Sequence, residues 1–199
     1  MKKLILASAS KRRFDILKNV GYDFDVIIPD INEDIVANST PYELVSELSK
    51  LKALAVLSRA DKDAIILASD TVVVLKGNIL GKPLDKAHAH SMLRSLSGKT
   101  HDVYTGVYII DAKTRREISF HEKCAVLMNY ISDEQIHEYI ATGQPMDKAG
   151  SYGIQGAGAL FVSGIQGDYF TVCGLPVSRV YESLNEFGIL PTMKDIEYL

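Results

Sequence analysis

A short segment near the beginning of the chain combines residue types that suit phosphate binding. The apolar run Leu4–Leu6 ends in the small residues Ala7–Ser10, and Arg12 and Arg13 follow at the start of a predicted helix. Small residues allow backbone N–H groups to approach a ligand, the N-terminus of a helix carries partial positive charge, and guanidinium groups match phosphate oxygens. The segment, which includes Ser8, predicts a phosphate-binding turn; the alternative is a solvated basic patch at the start of a helix.

A single carboxylate, Asp70, interrupts an apolar stretch that runs from Ala64 to Leu75. A carboxylate in such a stretch is expected to be partly buried, and burial without a partner is costly. Asp70 should therefore meet a cation, a metal ion or several hydrogen-bond donors. The chemical interpretation is a metal ligand, a general base for water, or both. The alternative is a β-bulge or strand end at which Asp70 bonds only to backbone.

A lysine on the second predicted helix lies beside the apolar face of that helix. The apolar stripe at helical spacing consists of Leu44, Leu48, Leu51 and Ala55, and Lys52 lies on its shoulder. The Lys52 ammonium either reaches water past its apolar stem or points inward to a phosphate or a carboxylate. The residues alone leave both interpretations open.

Two further segments carry charged side chains that could bind a phosphate or a divalent cation. Glu33 lies in an acidic loop, residues 30–34, whose carboxylates together with Asp70 could hold a hard divalent ion that keeps several waters. The alternative is a solvated acidic loop. Lys82 lies between Gly81, which permits an unusual backbone angle, and Pro83, which stiffens the segment. Lys82 is either a phosphate ligand or an exposed turn lysine.

A glycine-rich segment, residues 147–158, lies between two ordered elements and contains Gln155, whose amide both donates and accepts hydrogen bonds. Such a segment can bring backbone close to a base or a sugar. It is neither a Walker loop nor a dinucleotide fingerprint, because no Gly-Lys-Ser/Thr follows the glycines and the segment does not open a helix after a strand. Taken alone, the glycine pattern is a weak signal for a nucleotide.

The inventory of reactive residues favours metal-assisted hydrolysis over covalent catalysis. The five histidines show no zinc-ligand spacing, and no Ser–His–Asp or Cys–His arrangement stands out. Carboxylates for a metal, lysines and arginines for phosphates, and water as the nucleophile match this inventory. Cys124 and Cys173 lie in apolar runs and are predicted to be small core residues.

The composition is that of an ordinary globular protein, large enough for one domain or two joined lobes. The chain has 199 residues, of which 47% are hydrophobic and 24% charged, with a net charge of −3. Nucleic-acid-binding proteins generally show a basic excess, so stable nucleic-acid binding is not expected and phosphate recognition must be local. The apolar runs are too short for a bilayer and the first residues do not form a signal-peptide pattern. We therefore expect a cytoplasmic protein without membrane association.

Strand and helix patterns alternate along the chain with some hairpins, which predicts an α/β fold with a mixed sheet. Capping signals at Ser10, Thr40–Glu43 and Ser132–Gln135 predict helix starts. Residues 64–68 and 71–75 are predicted as separate strand-like runs, followed by a hairpin turn at residues 76–78. A second hairpin is predicted from strands at residues 160–162 and 169–172, around the glycines of residues 164–167.

Together these segments resemble the Maf family of nucleoside triphosphate pyrophosphatases over almost the whole chain, to about Phe187. The motifs that carry the resemblance are Leu6-Ala-Ser-Ala-Ser-Lys-Arg-Arg13, Ala68-Ser-Asp-Thr71, Gly81-Lys-Pro83, Leu96-Ser-Gly98 with His101, and Asp147-Lys-Ala-Gly-Ser-Tyr-Gly-Ile-Gln-Gly156. The resemblance implies hydrolysis of nucleotides between the α and β phosphates, with Mg²⁺ or Mn²⁺, to a nucleoside monophosphate and pyrophosphate. It also implies an elongated α/β fold of the Maf and ITPase type, with two lobes around a central cleft. Residues 1–188 would form this single domain, and residues 189–199 a C-terminal tail.

The resemblance also assigns roles by position. Asp70 is implied as the proton acceptor that activates water and, with Glu33, as an acid of the metal site. The phosphate-binding positions correspond to Ser8, Arg13, Lys52 and Lys82. The positions that separate substrate subfamilies correspond to Arg12, Thr71 and Gln155. The residues found there resemble the branch that acts on dTTP and UTP, not the branch that acts on 7-methyl-GTP. The family analogy further implies a homodimer.

The chain departs from the family pattern at two places, since Lys11 stands where proline is usual and Ser69 where glycine or alanine is common. Neither departure touches the implied chemistry. Two other functions stay open at this point. One is a non-catalytic nucleotide-binding regulator linked to cell division and septum formation, although a pure binder has no need of Asp70 beside a metal-binding acid. The other is a phosphohydrolase that cuts at the γ phosphate, which the identity of the leaving group would reveal.

Overall fold

A computed structural model describes residues 2–32 and 39–192 of the chain. The first elements are β1 (Lys3–Leu6), α1 (Lys11–Asn19), β2 (Phe24–Val26), α2 (Pro41–Leu57), β3 (Ala64–Leu75) and β4 (Asn78–Leu80). They are followed by α3 (Lys86–Leu96), β5 (Thr100–Asp111), β6 (Glu117–Met128), α4 (Asp133–Ala141), β7 (Val162–Gln166), α5 (Tyr169–Cys173) and α6 (Val177–Asn185). Short 3₁₀ turns occupy Gln144–Asp147, Ala149–Ser151 and Gly156–Phe161. No helix in these two ranges is both long and apolar enough to cross a membrane.

The strands form one mixed sheet in the order β2-β1-β3-β5-β6-β7, with β4 paired to β3 outside this path. The first strand is parallel to both β2 and β3, whereas β4 is antiparallel to β3 and β7 is antiparallel to β6. Helices connect the parallel strands, because a parallel pair needs a long crossover. The prediction of an α/β fold with a mixed sheet and flanking helices is confirmed.

The chain divides into two compact units. Unit 1 comprises the described parts of Met1–Asp70, Thr105–His121 and Gly174–Leu199, and unit 2 comprises Thr71–Tyr104 and Glu122–Cys173. One division falls within β3, between Asp70 and Thr71. The core of unit 1 includes alternate residues of β3 that pack with Ala53 and Val56 of α2. Both cysteines are buried and neither forms a disulfide, in agreement with their prediction as small core residues.

Side-chain caps fix the helix starts that the sequence predicts. Ser10 accepts a hydrogen bond from the backbone N–H of Arg13, and capping boxes begin α2 and α4. The hairpin between β3 and β4 turns at Lys76 and Gly77, which both have positive φ. A two-residue turn with this backbone matches the twist of the flanking strands.

The two separate runs predicted at residues 64–68 and 71–75 are instead one strand, β3, with Asp70 in its interior. Asp70 therefore does not lie at a strand end, and its contact with Lys52 shows that it does not bond only to backbone. Asp70 is 7% exposed, and all its neighbours in β3 except Thr71 are buried. A polar side chain does not break a strand when an ion pair satisfies it.

The hairpin predicted around residues 164–167 is wrong. Gly164 lies within β7 and Gly167 directly follows this strand, and residues 169–172 belong to the short helix α5. Asp168 Oδ2 accepts hydrogen bonds from the backbone N–H of Thr171, at 2.6 Å, and from its hydroxyl, at 2.9 Å. This side-chain cap favours a helical turn at aromatic and β-branched residues that would otherwise suit a strand.

Candidate active site

A buried ion pair joins α2 to β3 in unit 1. The ammonium of Lys52 contacts Oδ1 of Asp70, and the two side chains are only 11% and 10% exposed. An isolated charge in such a place would be costly, and the contact gives each group an oppositely charged partner. Of the two interpretations of Lys52, the inward one is confirmed.

The period of a strand explains why Asp70 faces the helix. Ala64, Ile66 and Ala68 alternate along β3 and pack with Ala53 of α2 in the core of unit 1. Asp70 is the next residue in this alternation, so its side chain points to the same face. Lys52 directly precedes Ala53, which brings the ammonium to the end of that apolar layer.

The predicted apolar stripe of α2 is displaced by about one residue. The buried residues are Val45, Leu48, Ser49, Ala53 and Val56, whereas Leu44, Leu51 and Ala55 are half-buried. Helical positions 45, 49, 52 and 56 follow one another along a single face. Lys52 therefore lies on the buried face itself and not on its shoulder.

The predicted phosphate-binding turn connects β1 to α1. The Ser8 hydroxyl accepts from the backbone N–H of Ser10 at 3.1 Å and from Nη1 of Arg13 at 3.4 Å. Nε of Arg13 donates to the Gly174 carbonyl at 2.8 Å. Two different acceptors thus fix the plane of the guanidinium group. Ser8 and Arg13 are brought together as the sequence predicts, and Arg12 is half-buried beside them in the chain.

The Gly174 carbonyl is a shared acceptor that sequence reasoning missed. Oγ of Ser69 donates to it at 2.8 Å, and Ser69 is fully buried next to Asp70. The carbonyl oxygen has two lone pairs, so it can accept from Ser69 and Arg13 at once. The departure from the family pattern at Ser69 thus adds a hydrogen bond beside the candidate site. A buried serine within an apolar strand was the only available signal.

Three predicted site residues, Thr71, Lys82 and Gln155, belong to unit 2. Thr71 is half-buried, while Lys82 and Gln155 are exposed. Burial raises the pKa of Tyr169 to about 12, and the Tyr169 hydroxyl is hydrogen-bonded to the side chains of Cys173 and Gln155. Gln155 thus has a defined partner.

The glycine-rich segment is largely internal to unit 2. Residues 150–154 are buried, and the exposed residues of the segment are Asp147, Gln155 and Gly156. The expectation that this backbone approaches a base or sugar therefore does not apply to residues 150–154. Their glycines allow close packing against other parts of unit 2 instead.

Glu33, the other predicted metal-site acid, lies outside the described residues. Within residues 2–32 and 39–192, no three His, Cys, Asp or Glu side chains are grouped as they would be in a metal cage. Asp70 supplies a hard carboxylate oxygen, and Mg²⁺ is commonly bound by one or two carboxylates together with substrate phosphates. The donor chemistry of Asp70 thus fits a divalent cation of this kind.

The chain belongs to the Maf-like protein family, whose model matches residues 3–187. It is 48% identical over 189 residues to a dTTP/UTP pyrophosphatase of Bacillus anthracis, covering 95% of this chain and 97% of that protein. It is also 48% identical to a dTTP/UTP pyrophosphatase of Bacillus cereus, with coverage of 95% and 92%.

Two solved structures show a partial likeness in fold. The Staphylococcus aureus Ham1 protein has a TM-score of 0.45 and 16% identity, covering 64% of this chain and 72% of that one. A nucleoside-triphosphatase, dITP/XTP pyrophosphatase, from Mycobacterium abscessus has a TM-score of 0.41 and 10% identity, covering 65% and 75%.

Proposed function

We propose that this protein is a nucleoside triphosphate pyrophosphatase that hydrolyses dTTP and UTP between the α and β phosphates. The products are the nucleoside monophosphate and pyrophosphate. Membership of the Maf-like family and the names of relatives that are 48% identical over 95% of the chain support this assignment.

The observation that carries the proposal is the contact between Lys52 and Asp70. A protein that only bound a nucleotide would have no use for a buried carboxylate at this position. A carboxylate that faces an attacking water can accept a proton from it, which is the role of a general base. The proposed reaction therefore needs no covalent intermediate.

The proposed roles follow from the charges. A triphosphate offers anionic oxygens that compete with Asp70 for the Lys52 ammonium. When Lys52 turns to a phosphate, Asp70 is left to take the proton of the attacking water. Ser8, Arg13 and Lys82 are proposed as further phosphate ligands, since guanidinium and ammonium groups bind phosphate oxygens strongly.

A divalent cation such as Mg²⁺ or Mn²⁺, when bound, would offset the charge of the phosphates, and Asp70 with Glu33 would hold it. Arg12, Thr71 and Gln155 are proposed to set the preference for dTTP and UTP. For Gln155 the physical support is its amide, which can accept from and donate to the edge of a pyrimidine base.

The test is pyrophosphate release from dTTP in the presence of Mg²⁺, compared between the natural chain and Asp70→Asn. The substitution keeps the shape of the side chain and removes its ability to accept a proton. Loss of a general base commonly costs 10²- to 10⁴-fold, so we expect a fall in kcat of about 10²-fold or more.

Asp111→Asn is the matched control. Asp111 is also a buried acid of unit 1 that pairs with a lysine, Lys2, at 2.9 Å. The next residue, Ala112, donates its backbone N–H to the carbonyl of Ala64 at the beginning of β3. Ala64 lies six residues before Asp70, a distance of about 20 Å along a strand. We expect the kcat of Asp111→Asn to stay within twofold of that of the natural chain. Unchanged turnover by a folded Asp70→Asn protein would refute the proposed chemistry, and release of inorganic phosphate instead of pyrophosphate would refute the bond that is cut.

A further inference from the structure

A buried histidine–tyrosine pair lies within unit 2 and is not used by the proposed reaction. Nε2 of His101, on β5, is 2.7 Å from the hydroxyl oxygen of Tyr152. The rings meet edge to face, with centroids 5.3 Å apart, and the residues are 3% and 4% exposed. Nδ1 of His101 is buried and has no hydrogen-bond partner among the described residues. Among the described residues, the contact with Tyr152 is therefore the polar contact that determines where the imidazole ring of His101 lies.

Tyr152 belongs to a buried stretch that leads to Gln155. The backbone N–H of Gly153 donates to the hydroxyl of Tyr139 at 3.2 Å. A side chain on Gly153 would come within 2.9 Å of Cε of Lys148, so the lysine stem packs directly on this glycine. Residues 150–154 are all buried, and Gln155 is the first exposed side chain after them. The position of Gln155 thus depends on a segment anchored three residues earlier, at Tyr152.

The same stretch also reaches the segment that carries Lys82. The backbone N–H of Gly150 donates to the carbonyl of Gly81 at 3.0 Å. Gly150 has a positive φ of 67°, and its Cα faces the Val73 side chain so closely that a Cβ atom would lie 3.0 Å from it. Lys82 follows Gly81 directly, and Pro83 behind it is buried. Lys82 is therefore held from both sides, although its own side chain is exposed.

We propose that His101 and Tyr152 are positioning residues that hold Lys82 and Gln155 at a fixed separation within unit 2 through the buried segment between them. Gly150 fixes Lys82 through its hydrogen bond to Gly81. Gly153 and Ile154 connect Tyr152 directly to Gln155 along the chain. Lys82 would meet a phosphate and Gln155 the base, so a fixed separation selects nucleotides of one length and one base edge. The inference rests on the proposed function and deepens it.

The experiment compares Tyr152→Phe with the natural chain in pyrophosphate release from dTTP and dCTP. The variant keeps the buried ring and removes the hydroxyl that His101 contacts. We expect the KM for dTTP to rise about tenfold while kcat stays within twofold, and the preference for dTTP over dCTP to fall. A loss of stability alone would change neither the KM nor the preference when both proteins are assayed well below their unfolding temperatures.

Tyr22→Phe is the matched control. Tyr22 is 2% exposed, belongs to unit 1, and has a buried hydroxyl without a partner among the described residues. Removing that hydroxyl should leave KM and preference unchanged. A second pair of variants tests the contribution of His101. His101→Gln keeps a group that can form a hydrogen bond with Tyr152, and we expect its KM to stay within threefold of that of the natural chain. His101→Leu should raise the KM as Tyr152→Phe does.

The outcomes are separable. If the natural chain releases no pyrophosphate from either nucleotide, the proposed function fails. If the natural chain is active and Tyr152→Phe has unchanged KM and preference, the positioning role is overturned. It is also overturned if His101→Gln and His101→Leu behave alike, or if the variants do not fold, since the pair then serves only the core of unit 2.

Discussion

Gly106 of β5 and Val45 of α2 are in direct backbone contact. A Cβ atom at position 106 would lie 2.3 Å from the carbonyl oxygen of Val45, closer than any real contact. The glycine therefore sets how near α2 approaches the sheet. The same helix carries Lys52, so this contact also determines how the ammonium reaches Asp70.

Gly106→Ala should displace α2, because the obstructing atom is backbone and cannot rotate away. We expect a loss of about 1–3 kcal/mol in the free energy of unfolding, as for other overpacked sites, and a fall in kcat because Lys52 moves with the helix. Urea denaturation and pyrophosphate release measure the two effects. Gly164→Ala, on β7, has open space around its Cβ position and should change neither.

Lys52→Met should leave the Asp70 carboxylate buried without its cation. Removing one partner of a buried ion pair commonly costs about 3–5 kcal/mol, and we expect a loss in this range from urea denaturation. Lys113→Met is the comparison, because Lys113 pairs with Asp63 at 3.0 Å but both side chains are 69% exposed. An exposed pair contributes about 0–1 kcal/mol. Equal losses in the two variants would contradict the importance of burial at Lys52.

Arg13→Lys should weaken nucleotide binding although the charge is kept. Arg13 uses Nε for the Gly174 carbonyl and Nη1 for the Ser8 hydroxyl, and a lysine ammonium cannot reproduce that planar arrangement. We expect kcat/KM for dTTP to fall about 10- to 100-fold, measured by pyrophosphate release. Arg115→Lys, at an exposed turn, should leave it unchanged. A value within twofold of the natural chain would show that only the charge of Arg13 matters.

His101 should make the stability of the protein depend on pH. Burial lowers the pKa of His101 to about 4 from 6.5 and outweighs the opposing effect of Asp102. Between pH 6.5 and pH 4, His101 is protonated in the unfolded chain but not in the folded one. The free energy of unfolding therefore falls as the pH falls from 6.5 to 4. The full effect is about 3 kcal/mol. Denaturation at pH 4, 5, 6 and 7 should show this slope in the natural chain and not in His101→Gln.

Local signals in the sequence predict most of the elements correctly. Caps such as Ser10 and the Thr40–Glu43 box depend on residues three positions apart, and the turn at Lys76 and Gly77 depends on two neighbours. Such signals lie within a window that can be inspected directly. Residues 169–172 have strand-like residue types, but the Asp168 cap that precedes them favours a helix.

In the candidate site, too, some contacts could be predicted from neighbouring residues and others could not. Ser8 and Arg13 lie on one turn, so their meeting could be predicted from the sequence. The inward direction of Lys52 could not, because the apolar residues at helical spacing indicate a face about one residue away from the one that is buried. The burial of residues 150–154 could not be predicted either, since nothing in the composition of the glycine-rich segment tells which of its residues pack inside the protein.

The sequence by itself determined the family, the α/β class and the supply of side chains suited to phosphate chemistry, because motifs and periodicity are local properties. Only the tertiary structure decided that Lys52 meets Asp70, that Arg13 reaches Gly174 and that His101 meets Tyr152. These partners are 18, 161 and 51 residues apart in the chain. Their meeting depends on strand order, register and the approach of helices to the sheet. Those follow from many weak contacts summed over the whole fold, and no short window of sequence contains them.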